Sequence, residues 1–236
     1  HPSPPPSRGR GQIRTLADYA LPAVTDRTLA RGWLALALAA LIGSGLFSIL
    51  LVAARTPGLN AWLPAGDFFR VALVVHVDLS VLVWFVAIAG LLWSLNLREG
   101  PRWRSLGVLS LALCAAGALG MAAAAFASPG SAVMANYIPM LGSAGFRIAL
   151  LVFGAGASLL VLRSLVQAAP VGVAPGGTGA LRFGLHASVV AAAVALIAFA
   201  WSLAIVPREL PPKAYYEIVF WGGGHALQFA WTLLML

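Results

Sequence analysis

The chain has 236 residues, 61% of them hydrophobic and only 9% charged, with a mean hydropathy of +0.91. That excludes an ordinary soluble domain: several stretches exceed the ~18 consecutive apolar residues that a bilayer crossing requires, and none shows the short alternating runs of a β-barrel. The formal charge of +8 comes from 15 basic residues lying mostly before and between the apolar runs, where they orient a membrane chain and meet anionic headgroups, so it does not indicate nucleic-acid binding.

The fold class read from this pattern is all-α, a multi-pass transmembrane helix bundle of about six spans. Residues 1–29 form a polar segment ahead of a transmembrane domain over 30–236. The opening HPSPPPSRGRGQ cannot bury enough apolar surface to fold and is expected to be disordered. No small-residue cleavage site follows the first apolar run, so this is not a secretory signal. The chain begins with His1 rather than Met and ends inside an apolar run, which reads as a fragment of a longer polypeptide.

The first span, Arg31 to Ala54, carries Gly43 and Gly45 and no ionisable residue within its apolar run, and reads as a packing helix. Arg55-Thr56-Pro57-Gly58 stops it, and Trp62 in the next loop suits an interfacial anchor. The second span, Phe68 to Leu95, holds His76 and Asp78 deep in apolar surroundings, where ionisable residues are costly and mark candidate functional sites. Helical spacing puts Ala72, Ser80, Ala87 and Gly90 on or near the His76 face, leaving room for a partner helix or a flat cofactor. His76 is either a hydrogen-bonding histidine of the bundle or a ligand. Asp78 points elsewhere, as a structural residue, a partner for another helix or part of a proton path.

A polar hairpin over 97–102 leads to the third span, Trp103 to Ala127, which contains Cys114; a lone cysteine excludes an intrachain disulfide. Ser128-Pro129-Gly130 breaks that span, and the loop Asn136-Tyr137-Ile138-Pro139-Met140 is expected on the outer surface. The fourth span, Phe146 to Val166, has Gly154 and Gly156 in a small-residue stretch suited to close helix packing. A Gly/Pro connector precedes the fifth span, Leu181 to Val206, with His186 near its start, where an interfacial or packing role is expected. The polar stop Pro207–Lys213 leads to a sixth span from Tyr215 that carries Glu217 and the run Trp221-Gly222-Gly223-Gly224-His225. Three consecutive glycines cost roughly 1 kcal/mol each in a helix interior, and the usual return is a smooth face that something bulky approaches closely.

Six alternating spans place ten basic residues on the side of the N-terminus and five on the other, which puts the N-terminus in the cytoplasm by the positive-inside rule. The alanine, arginine and glycine richness matches high-GC bacteria, hence a bacterial inner membrane. The second and sixth spans then start from the same outer side. At ~1.5 Å per residue, His76 and His225 both lie on the order of 13–15 Å below the outer ends of their helices, while His186 lies at another level. Two imidazoles at one depth, one flanked by small residues and one by glycines, favour a metal or haem reading.

The motifs VVHVDLSVLVW and FWGGGHALQFAW, with an Asn-Tyr-Ile-Pro loop after the third span, resemble the catalytic subunit of the haem–copper oxidase superfamily, in its first six of twelve core helices. The resemblance implies that His76 is an axial ligand of a low-spin haem iron, and that His225 ligates copper facing a high-spin haem. It implies a respiratory terminal oxidase that reduces dioxygen to water, with other oxidase subunits and a cytochrome c-type electron donor as partners. In the best-known members the position four residues after this histidine is tyrosine and the position two after is often glutamate. Here they are Phe229 and Leu227, which brings the chain closer to C-type oxidases or nitric oxide reductases. The remaining ligands, and the tyrosine that C-type enzymes carry on a seventh span, would then lie beyond Leu236. A nitric oxide reductase-like subunit with non-haem iron is the near alternative. A non-redox transporter or assembly subunit, using His76, Asp78 and His225 as a polar path, is the distant one.

Overall fold

The computed structural model describes residues 27–64, 67–96, 101–167 and 177–235. The expectations for 1–26, for the turn at 97–100 and for the connector at 168–176 lie outside the described residues.

Six long helices form: α1 (Thr28–Arg55), α2 (Phe68–Ser94), α3 (Pro101–Ala127), α4 (Ala144–Gln167), α5 (Gly177–Ile205) and α6 (Pro212–Met235). The chemistry of their ends is visible in the sequence. Pro101 and Pro212 occupy the first position of α3 and α6, where the missing N–H costs nothing and the fixed φ fits. Thr56, extended ahead of Pro57, caps the end of α1, and Gly58 turns the chain with φ +86°.

The first five are long and apolar enough to cross a membrane. The sixth is long enough at 24 residues, but it carries Lys213, Glu217, His225 and Gln228 and is not among those five. The outer faces are greasy, as a lipid-facing surface requires: on α1, Ile42, Ile49 and Val52 are each about two-thirds exposed.

The helices pack as three antiparallel pairs, α1 with α2, α3 with α4, and α5 with α6. The α3–α4 pair is close because Gly117 receives the backbone of Phe153 and Gly156 that of Cys114; Ser110 Oγ donates to Gly156 O at 2.7 Å. The sequence expectation of close packing thus holds for Gly156. Gly154, two residues earlier, turns into open space instead. α2 joins the pairs, touching all five other helices; half of its most apolar window is buried, against 22% for α1 and α5. Trp93 Nε1 donates to Ser188 Oγ at 2.8 Å, tying the end of α2 to α5.

Between α3 and α4 the chain makes a small antiparallel hairpin, β1 (Ala132–Val133) and β2 (Met140–Leu141), with Val133 opposite Met140. Gly130, at φ +67°, starts it in a position where a side chain would collide with the Ser143 backbone. The loop expected on the outer surface is therefore folded inward: Ile138, Met140 and Leu141 are buried, and both strands pack on the first part of α2.

Candidate functional site: two histidines and the hairpin between their helices

His76 sits in the last turn before a π-helical segment, Asp78–Val83, within α2. There the ladder widens, and Trp84 N–H reaches Leu79 O five residues back. π turns inside α-helices leave carbonyls short of their usual donors and recur at functional sites. Here the His76 carbonyl accepts from two hydroxyls, Ser80 Oγ at 2.8 Å and Ser44 Oγ of α1 at 3.1 Å. The small-residue face of α2 thus receives α1, with Ala72 and Ala87 fully buried.

The His76 ring is held from α1 as well. Its Nδ1 lies 2.9 Å from the Ser44 carbonyl oxygen and 2.9 Å from Ser44 Oγ. A carbonyl can only accept, so Nδ1 carries the proton and donates. The lone pair is left on Nε2, and the half-buried ring presents the tautomer suited to ligation.

His225 uses the same device from its own helix. Nδ1 donates to Trp221 O one turn earlier at 2.9 Å, which again frees the lone pair of Nε2. Tyr137, at the tip of the β1–β2 hairpin, brings its hydroxyl within 2.7 Å of Nδ1 and 3.1 Å of Nε2. With Nδ1 engaged by Trp221 O, the phenol donates to Nε2. The imidazole lies between two aromatic rings, Trp221 at 4.3 Å and Tyr137 at 5.0 Å between centroids.

Two of the three glycines find their reason in this arrangement, while Gly222 has ordinary room, with Ala198 Cβ at 3.8 Å from a side chain built there. A side chain at Gly224 would run into the Tyr137 ring, and one at Gly223 into the ring of Phe199 on α5. What approaches the smooth face is a pair of aromatic rings. Sequence reasoning placed Tyr137 outside the site. The signal that could have found it is a lone aromatic in a short apolar loop, facing a helix that carries a glycine run with nothing assigned to fill it.

The matched depth of the two histidines follows from a second contact. Phe85 of α2 stacks on Trp231 of α6 at 5.4 Å, and the two helices run in the same direction. Phe85 is nine residues past His76 and Trp231 six past His225, so the two imidazoles differ in height by about 4–5 Å at ~1.5 Å per residue. They share a layer, but no hydrogen bond joins them. His76 is held to α1, His225 to the hairpin tip, and the hairpin packs on the first part of α2.

The other flagged residues stand apart. Asp78 is 1% exposed and both its carboxylate oxygens lack a hydrogen-bond partner. His186 is half-buried near the start of α5, its Nδ1 also without a partner. Phe229, one turn past His225, is 69% exposed and faces away from the bundle. Among the described residues no group of three His, Cys, Asp or Glu side chains comes close enough to hold a metal ion. The donor chemistry at each histidine fits one coordination bond from a neutral imidazole, with further ligands needed from elsewhere.

No family model matches the chain. It is similar to an uncharacterized protein of Rickettsia prowazekii (strain Madrid E), 28% identical over 250 residues, covering 89% of this chain and 46% of that protein. An uncharacterized protein of Aquifex aeolicus (strain VF5) is also 28% identical, over 211 residues, covering 86% of this chain and 52% of that protein. The chain thus spans about half the length of the curated relatives it matches. No solved structure matches.

Proposed function

We propose that this stretch is the ligand-bearing first half of a respiratory oxidase-like catalytic subunit in a bacterial inner membrane, with its N-terminus in the cytoplasm. The observation that carries the reading is the shared tautomer. Both membrane-depth histidines commit Nδ1–H to a backbone carbonyl, which puts the lone pair on Nε2, unengaged among the described residues at His76 and met by the Tyr137 phenol at His225. The same orientation recurs in one layer on two helices, and it is the orientation that histidine ligands adopt.

In this reading His76 Nε2 would hold the iron of a low-spin haem and His225 Nε2 would hold the copper of a haem–copper centre. Once bound, these groups supply one-electron transfer and the reduction of dioxygen to water. This chain's own residues orient and protect. Ser44 fixes the His76 ring and, with Ser80, satisfies its carbonyl; Trp221 and Tyr137 fix the His225 ring; Gly223 and Gly224 let the aromatic wall close behind it. The remaining ligands, other oxidase subunits and a cytochrome c-type donor come from outside this stretch. Two relatives about twice as long, both bacterial, are consistent with a second half.

The test is colour and composition. The purified full-length protein should bear haem, seen by absorption, and copper, seen by elemental analysis. Haem with iron in place of copper turns the reading to nitric oxide reduction, and a colourless, metal-free protein rejects it. That last result would favour a non-redox membrane protein. Asp78 is the observation on that side, because a buried carboxyl group without a partner is costly and suits a proton or cation path that requires no haem.

A further inference from the structure

A cavity of about 500 Å³ runs between α4 and the α5–α6 pair, with the second half of α2 as its floor. It exists because α4 offers small residues there. Gly154 and Ala157 line it, Ser158 turns its hydroxyl back to Gly154 O at 2.8 Å, and a side chain built on Gly154 would meet nothing within 4 Å. Along α4 the lining extends from Arg147 to Val161, a depth of about 21 Å at ~1.5 Å per residue. The walls are aliphatic and aromatic through nearly all of that depth. The ionic and phenolic groups of the lining are Arg147, Tyr215 and Tyr216, each in the first turn or so of its helix.

Those first turns of α4 and α6 lie at the level where tyrosine and arginine sit against lipid headgroups. The Arg147 guanidinium is exposed and has no ion-pair partner among the described residues. Water has few polar partners in the slot, and a void of this size leaves its lining without dispersion contacts. A long apolar chain fills it, and an anionic head at its end meets a free positive charge.

We propose that this slot is a lipid site that takes one acyl chain of an anionic phospholipid, with the phosphate against Arg147 and the tyrosine hydroxyls. The assignment does not depend on haem or metal at His76 or His225. Native mass spectrometry of the full-length protein, equilibrated with mixed phosphatidylglycerol and phosphatidylcholine vesicles and then extracted, reads it directly. The wild type should retain phosphatidylglycerol in preference to phosphatidylcholine. Arg147→Gln should still retain lipid but lose about fivefold of that preference, the factor one basic residue contributes near anionic headgroups. Gly154→Phe, whose ring fills the slot, should retain neither lipid while keeping the helical circular-dichroism signal. A wild type that retains no lipid, the slot then being filled by protein, would overturn the proposal. So would a folded Gly154→Phe that binds as the wild type does, or an Arg147→Gln with undiminished preference.

Discussion

The surroundings of His76 and His225 solve one problem in two ways. Both rings give Nδ1–H to a carbonyl, but His76 takes that carbonyl from a different helix, 32 residues away, whereas His225 takes it from its own helix, four residues back. His76 depends on the α1–α2 packing and adjoins a π turn, with two serine hydroxyls donating to its carbonyl. His225 depends on nothing distant for its tautomer, and its distant contact is the Tyr137 phenol at Nε2. One ring is oriented by tertiary structure and, among the described residues, has no hydrogen-bond partner at Nε2. The other is oriented locally and guarded at it. A phenol at that position either yields to an incoming metal or stays beside it as a hydrogen-bonding neighbour.

This contrast can be broken in graded steps. The largest effect is expected for His225→Ala in the full-length protein: copper content and dioxygen turnover should disappear while a low-spin haem spectrum persists. Loss of both signals together would mean that the two histidines are not separate sites. Next comes Tyr137→Phe, which keeps the ring against Gly224 and removes the hydroxyl. Groups that hydrogen-bond a metal-holding histidine typically contribute about 10–100-fold in metal affinity, so on the proposed reading retention of copper against a chelator should weaken by about that range. An unchanged titration would make the phenol a packing residue only.

Gly224→Ala should act through the same ring by collision. Overpacking a fitted interior costs about 1–3 kcal/mol, seen as a lowered thermal midpoint, and larger residues at Gly224 should cost more. The smallest effect is expected at Ser44→Ala, which removes the hydroxyl but keeps the carbonyl that fixes the His76 tautomer. About 1 kcal/mol of stability should be lost with the low-spin spectrum retained; loss of that spectrum would show that the hydroxyl, not the carbonyl, holds the ring.

Much of the architecture was legible because membrane depth simplifies the chemistry. A long apolar run has few alternatives to a helix, and Pro57, Pro101 and Pro212 mark boundaries that the structure keeps. His76 and His225 stood out because imidazole is rare at that depth, and counting residues from the span ends placed them in one layer. The hairpin was not legible. Its strands are two residues each, too short for any alternation to register, and Tyr137 lies in a loop whose burial depends on what α2 leaves open. The π turn also escaped notice, since Val77, Val81 and Val83 read equally well in a regular helix. Gly154 and Gly156 look alike in sequence, yet one faces the backbone of a neighbouring helix and the other a cavity. Which one does which is decided by helix rotation, and α4, apolar on every side, gives no polar face from which to read it.

The absorption spectrum of His76→Ala in membranes containing the full-length protein tests the central claim most directly. If His76 Nε2 holds the low-spin haem iron, the reduced low-spin haem bands should vanish while the subunit remains inserted at normal abundance. Bands of wild-type position and intensity would contradict it.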